Sequence, residues 1–189
     1  MGSGFSSRSP VRWLAALAAI GAMWWVAFEH HERIPILTYL NLGIHQGGHM
    51  LTYSASELTN SLAGSIAQVL VPLLFVAYFV VRRKDWVAAG VCLAWAATSA
   101  MEVSLFVADA PTQKLDLLGE NTHDWAYILG PDGYKAMDKA ASLSHTIQNV
   151  ASVAAVTAAL MCLLAPLKGR RPSQPDPMST SRATATSRP

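Results

Sequence analysis

Four long apolar runs constrain this chain more than anything else in it: Trp13 to Phe28, Leu58 to Val81, Trp86 to Ala108 and Ala140 to Leu167. About 20 predominantly apolar residues cross the hydrocarbon core of a bilayer as a helix, and each run is that long or nearly so. Only backbone that satisfies its own hydrogen bonds is stable there, so the expected fold class is all-α, a polytopic membrane helical bundle. A fifth stretch, Ile36 to Ala55, is of another kind. Asn41, His45, Gln46 and His49 interrupt it, together with Gly43, Gly47 and Gly48, which suits a helix surrounded by protein better than one facing lipid.

The basic clusters decide how the runs thread. They are Arg8 with Arg12, Arg82 to Lys84, and Lys168 to Arg171, and basic residues favour the cytoplasmic side. Four crossings put all three there and leave Ile36 to Ala55 as a re-entrant or half-buried helix whose ends both lie outside. Five transmembrane helices, with one violated loop, is the alternative. Residues 1–167 form the membrane domain in this reading. Residues 168–189, rich in Pro, Ser, Thr and Arg without apolar periodicity, read as a disordered cytoplasmic tail. The pattern ahead of Trp24 and Trp25 favours an uncleaved first helix over a signal peptide.

A net charge of only +2, spread without a basic stripe, excludes nucleic acid as a partner. The two cysteines, Cys92 and Cys162, lie inside separate spans and indicate neither a disulfide framework nor a Cys-rich zinc knuckle.

Chemistry concentrates in "LNLGIHQGGHMLTY" (Leu40 to Tyr53). Two histidines four apart on a helix share a face about 6 Å apart along the axis, so both imidazoles can reach one metal ion. Gly43 and Gly47 make a small-xxx-small pair on another face, suited to close helix packing. Packing glycines beside histidines that only bridge helices is the plainer reading of the same letters. Glu102 is harder to dismiss, because a carboxylate within a span is costly unless paired. Asp109 follows seven residues later, and "GENTHDW" supplies His123 and Asp124. These residues offer the further nitrogen or oxygen ligand that zinc wants and the carboxylate partners that ligating imidazoles want. Taken singly, Asp109, His123 and Asp124 also suit a solvated loop with a helix cap. His145, Gln148, Asn149 and Ser152 form a stripe on the last run, suited to hydrogen bonding between helices or to the wall of the same cavity. Trp24, Trp25, Trp86 and Trp125 read as interfacial anchors.

Three stretches, "NLGIHQGGHMLTY", "LAGSIAQVLVPLLF" and "MEVSLFVADAPTQKLDLLGENTHDWAYIL", resemble a family of small bacterial membrane proteins that read HEAGH, GGSxxQxLxPL and DVSxYxADAxxxxLPLLGGxxHDWxYxL at the corresponding places. The resemblance runs from Asn41 to Leu129. Through HEAGH the family is similar to intramembrane zinc metalloproteases. It implies a multi-pass protein of the bacterial inner membrane, whose termini the basic clusters place in the cytoplasm, with zinc as cofactor and a membrane protein or peptide as substrate. His45 and His49 match the two histidines, Glu102 stands where the family has Asp, and Asp109, His123 and Asp124 fall in ADA and HDW. That makes His45, His49, Asp109, His123 and Asp124 the candidate metal ligands, and Gln46 and Glu102 the candidate catalytic positions.

The departure is Gln46. In HExxH the glutamate receives the proton of the attacking water, and a positioned base is worth about 10²- to 10⁴-fold in rate. An amide can orient that water but cannot take its proton. The expectation is therefore a metal site of metalloprotease type with an impaired base, a pseudo-protease. Two other readings compete: a haem or electron-transfer protein with His45 or His49 and His145 as axial ligands, and a non-catalytic membrane scaffold.

Overall fold

The computed structural model describes residues 10–115 and 123–168 and is all-helical, with no strand among the described residues. Six helices follow one another: α1 (Pro10–Trp24), α2 (Pro35–Leu51), α3 (Glu57–Tyr78), α4 (Trp86–Asp109), α5 (Asp124–Leu129) and α6 (Ala140–Lys168). A π-helical turn extends α1 over Trp25–Glu29, and another extends α3 over Phe79–Arg83. Among the described residues, four continuous helical stretches are long and apolar enough to cross a membrane: Pro10–Glu29, Glu57–Arg83, Trp86–Asp109 and Met137–Ala165. They coincide with the four runs expected from sequence. The tail expected at 168–189 lies, beyond Lys168, outside the described residues, as does Arg8 of the first basic cluster.

α4 is the central helix. More than half of its most apolar stretch (56%) is buried, against 17–22% for the other three. Small residues make this possible: Ala94 of α4 and Ala158 and Cys162 of α6 are buried in one cluster with Ala16 and Ile20 of α1. A Cβ on Gly90 would stand 3.0 Å from the Ala158 carbonyl oxygen, so α4 and α6 approach at backbone distance there. The outward faces keep their large apolar residues exposed, among them Leu74, Val81, Val153 and Leu160. In a bilayer that is the ordinary state of a lipid-facing surface.

The direction of each helix follows from one ion pair. Arg12, at the start of α1, bonds Asp85, which also caps α4 by accepting from the Ala88 amide at 3.1 Å. α1 and α4 therefore start at the same end of the bundle. α3 ends one short turn before α4 begins, so it starts at the opposite end, where α1 finishes. α2, joining the end of α1 to the start of α3, enters and leaves at that one end. Its 17 residues pack alongside the first half of α3, with His49 beside Asn60 and His45 beside Gly64 and Gln68. A five-helix crossing pattern would need α3 to begin at the other end. Cysteines introduced at the exposed positions Glu32 and Glu57 should thus react with an impermeant maleimide from the same side of the membrane. Labelling from opposite sides would break this threading.

Candidate metal centre

Two polar stripes meet where α2 lies on α3. On α2 they are Asn41, His45 and His49, each four apart; on α3, Asn60, Gly64 and Gln68 repeat the same spacing. At this period each stripe is a single helical face, and the interlock is tight. A Cβ on Gly48 would meet the Ala63 carbonyl oxygen at 2.5 Å, and one on Gly64 would lie 2.4 Å from His45 Nε2. The close contacts are made by Gly48 and Gly64. Gly43 and Gly47, expected to do this, have nothing within 4 Å of an added Cβ. One residue of helical phase separates Gly47 from Gly48, and sequence spacing alone does not say which face of a helix meets its neighbour.

The start of α5 brings Asp124 onto this junction. One ligand atom from each of His45, His49 and Asp124 falls within 4.8 Å of the others. Asp124 Oδ2 stands 3.0 Å from His45 Nε2 and 3.1 Å from His49 Nε2. The three side chains are 10%, 18% and 13% exposed for His45, His49 and Asp124, so water does little to screen them.

Proton positions on the rings follow from their other partners. His49 Nδ1 is 2.9 Å from the Asn60 backbone oxygen, which can only accept, so Nδ1 donates. His45 Nδ1 is 2.9 Å from Gln68 Oε1, and the Gln68 amide is oriented by donating from Nε2 to the Ser99 carbonyl at 3.4 Å. His45 Nδ1 also donates. Both neutral rings then aim the Nε2 lone pair at one carboxylate oxygen, an arrangement that is repulsive without a cation. Two extra protons would relieve it only by burying two imidazolium ions against a single carboxylate. A metal ion among the three would turn every contact attractive: ligand atoms about 2.0–2.1 Å from a tetrahedral ion stand about 3.3 Å from one another, Asp124 Oδ2 lies 3.0 and 3.1 Å from the two ring nitrogens, and all three ligand atoms lie within 4.8 Å of one another. The Nδ1 bonds to Gln68 and Asn60 are the outer hydrogen bonds by which ligating imidazoles are usually fixed.

Glu102 belongs to the same small cavity, of about 50 Å³, whose walls include Arg33, Asn41, His45, His123 and Asp124. Trp95 Nε1 and Ser99 Oγ both donate to Asn41 Oδ1, at 2.9 and 3.2 Å, which turns the Asn41 amide nitrogen toward Glu102 Oε2 at 2.9 Å. The carboxylate expected to be costly is therefore paired. Gln46 is half-buried one position along α2 and does not line this cavity.

Asp109 and His123 are brought to each other and left outside the His45, His49 and Asp124 group. The Asp109 carboxylate accepts from Thr112 Oγ1 at 2.6 Å and from the Lys114 and Leu115 amides at 3.0 and 2.8 Å, closing the turn after α4. His123 Nδ1 accepts from the Ala126 amide at 3.2 Å as the cap of α5. Its proton therefore sits on Nε2, which lies 3.4 Å from Asp109 Oδ2 without a hydrogen bond of normal geometry. Together they hold α5 so that Asp124 points at the histidines. His145 and Asn149 lie on the exposed side of α6. The α6 bond to α4 comes instead from the buried Ser144, whose hydroxyl donates to the Ser104 carbonyl at 2.8 Å. Trp125, expected as an interfacial anchor, donates to Ser65 Oγ at 3.0 Å beside the site.

Sequence reasoning assigned no role to Gln68, Asn60, Gly64 or Asn41. The legible signal was the four-residue period of polar and small residues through an otherwise apolar α3. Gln68→Leu should keep the helix intact and weaken metal binding by about 10- to 100-fold, the usual cost of removing an outer hydrogen bond to a ligating histidine; competition with a chromogenic chelator measures it.

Among the described residues, fold and site together define an all-helical membrane protein with four span-length helices and a largely buried group of two histidines and one carboxylate that could hold a metal ion. No protein-family model, curated protein or solved structure matches the chain.

Proposed function

We propose that this chain is a membrane-embedded zinc-binding protein of metalloprotease type, with His45, His49 and Asp124 as ligands and without the general base of an active protease. The observation that carries this reading is the pair of imidazole lone pairs converging on one carboxylate oxygen, each ring held from behind by an acceptor. Three protein ligands leave one position open, the pattern of catalytic rather than structural zinc sites. Bound there, zinc would polarise a carbonyl oxygen or acidify a water. The chain's own residues do the rest. His45 and His49 donate backward and present Nε2 forward. Asp109 and His123 position α5, and so Asp124. Glu102, fixed by Asn41, is the one other carboxylate on the cavity wall among the described residues.

Gln46 has no proton affinity near neutrality and stands off the cavity, so it supplies no base; peptide hydrolysis is accordingly absent or slow, and the protein is a metal-binding pseudo-protease. The basic clusters favour a bacterial inner-membrane protein with the basic end of the bundle cytoplasmic, which puts the metal site at the outer end. Metal analysis of protein purified without added chelator tests the reading, with about one zinc per chain expected. An absorbance scan of the same sample bears on the haem alternative: a Soret band would favour it, although the exposed position of His145 on α6 offers no second axial ligand near His45.

A further inference from the structure

The end of the bundle away from the metal site carries charge of one sign. Arg82 and Arg83 close the π-helical turn that extends α3, Lys84 follows, and all three are exposed, with no ion pair or side-chain hydrogen bond among the described residues. Arg12 lies at the same end and is bound to Asp85. Asp85 is also the one described carboxylate there. The others lie at the far end, from Glu29, Glu32 and Glu57 to Asp124, Asp132 and Asp138, or in the outer half of α4, at Glu102 and Asp109. Nor is the turn slack. Lys84 takes a φ of 53°, a left-handed conformation that is costly for a lysine, and the next residue fixes it from both sides. The Asp85 amide donates to the Phe79 carbonyl at 3.0 Å, while its carboxylate caps α4. Arg82, Arg83 and Lys84 are thus held together without a counter-charge from the described chain.

Beside this turn an apolar cleft of about 120 Å³ opens between α4 and α6, lined by Trp86, Thr157, Leu160, Met161 and Leu164. These residues all belong to the span-length helices, and Leu160 and Leu164 are exposed on the outward face. Trp86 joins the two features. It lines the cleft and follows Lys84 by two residues, at most about 7 Å of chain.

Depth and charge together choose the occupant. An outward cleft at span depth is bathed by acyl chains rather than water, and cations at its mouth attract phosphate. Each basic residue near a membrane surface favours anionic lipid by about fivefold. A zwitterionic head brings its own cation and gains little. An acidic peptide would satisfy the cations but would leave the cleft, at hydrocarbon depth, without a counterpart.

We propose that this is a binding site for one anionic glycerophospholipid, its phosphate held by Arg82, Arg83 and Lys84 and one acyl chain lying in the cleft against Trp86 and Leu160. The site belongs to the leaflet of the basic end, the inner one on the orientation proposed above, and it is independent of the metal reading.

The test titrates the full chain in detergent with dioleoyl phosphatidylglycerol or dioleoyl phosphatidylcholine, which share their chains and differ in head charge. Native mass spectrometry counts the lipid bound. The first phosphatidylglycerol should bind about tenfold or more tightly than the first phosphatidylcholine, and the ratio should fall as salt rises. Arg82→Gln, Arg83→Gln and Lys84→Asn combined should bring the ratio close to one; asparagine serves at 84 because it tolerates left-handed backbone. Thr157→Trp, which fills the cleft and leaves the charges, should weaken the first phosphatidylglycerol by about tenfold. If that variant does not fold, Leu164→Trp is read in the same way. Equal affinities in the native protein, a ratio unmoved by salt, or a preference unchanged by the triple substitution would overturn the proposal. So would full-strength binding in the cleft variant, which would reduce the site to a diffuse basic surface. Displacement of bound phosphatidylglycerol by millimolar glycerol phosphate would make free phosphate, not a lipid, the ligand.

Discussion

His45→Ala should empty the site, taking zinc from about one per chain to none, and should cost the fold more than His49→Ala does. Both variants remove one of the three proposed ligands and leave two, too few for a protein zinc site. The two differ in what they orphan. His45 Nδ1 is the donor to Gln68 Oε1 in a buried pair, whereas His49 Nδ1 serves a backbone carbonyl near the start of α3. A buried acceptor left without its donor costs about 1–3 kcal/mol, so thermal unfolding of zinc-free protein should shift further for His45→Ala. Metal analysis and thermal melts of the two variants, side by side, check both halves. Stoichiometric zinc in the doubly substituted protein would sink the assignment of these ligands.

Gly64→Ala should be nearly as damaging although it adds a single methyl. That methyl would lie 2.4 Å from His45 Nε2 and 2.6 Å from Cδ2 and Cε1, well inside van der Waals contact. The imidazole cannot yield without breaking its bond to Gln68, and the backbone of α3 cannot yield without opening the contact at Gly48. Overpacking of this kind costs about 1–3 kcal/mol, and on the proposed metal reading the displaced ring should lose zinc. Gly43→Ala and Gly47→Ala, whose added methyls meet nothing within 4 Å, should leave both zinc content and melting behaviour near those of the native protein. If Gly64→Ala also retained full zinc, the position of the His45 ring described above would be wrong.

The architecture was legible because a bilayer imposes it. Apolar length and the arrangement of Arg12, Arg82 to Lys84 and Lys168 sufficed to expect four spans and an α2 that does not cross, and the Arg12–Asp85 pair gives the same threading from packing. The site was legible as a set of residue types. His45 and His49 announce themselves by spacing, but Asp124, Asp109 and His123 were equivalent candidates in the sequence. What separates them is the turn after α4: its backbone amides need an acceptor, Asp109 supplies it, and only Asp124 then reaches the histidines. The choice of Gly48 and Gly64 over Gly43 and Gly47 was hidden for a related reason. It depends on helix rotation about its own axis, which local sequence leaves open and the packed partner sets.

The same-end entry of α2 also orders the biogenesis of the protein. Asn41 and His45 are synthesised before any of their partners exist, since Gln68 lies on α3, Trp95, Ser99 and Glu102 on α4, and Asp124 on α5. While the ribosome is still making α3, α2 carries polar groups that hydrocarbon would punish, and its shortness lets it wait at the membrane surface. Its polar partners on α3 and α4 are complete only once both helices have been made. Asp124 is the last partner to be made, so a chain stalled or truncated before it would hold both imidazoles by their Nδ1 partners on α3 alone, with nothing facing either Nε2 from α5.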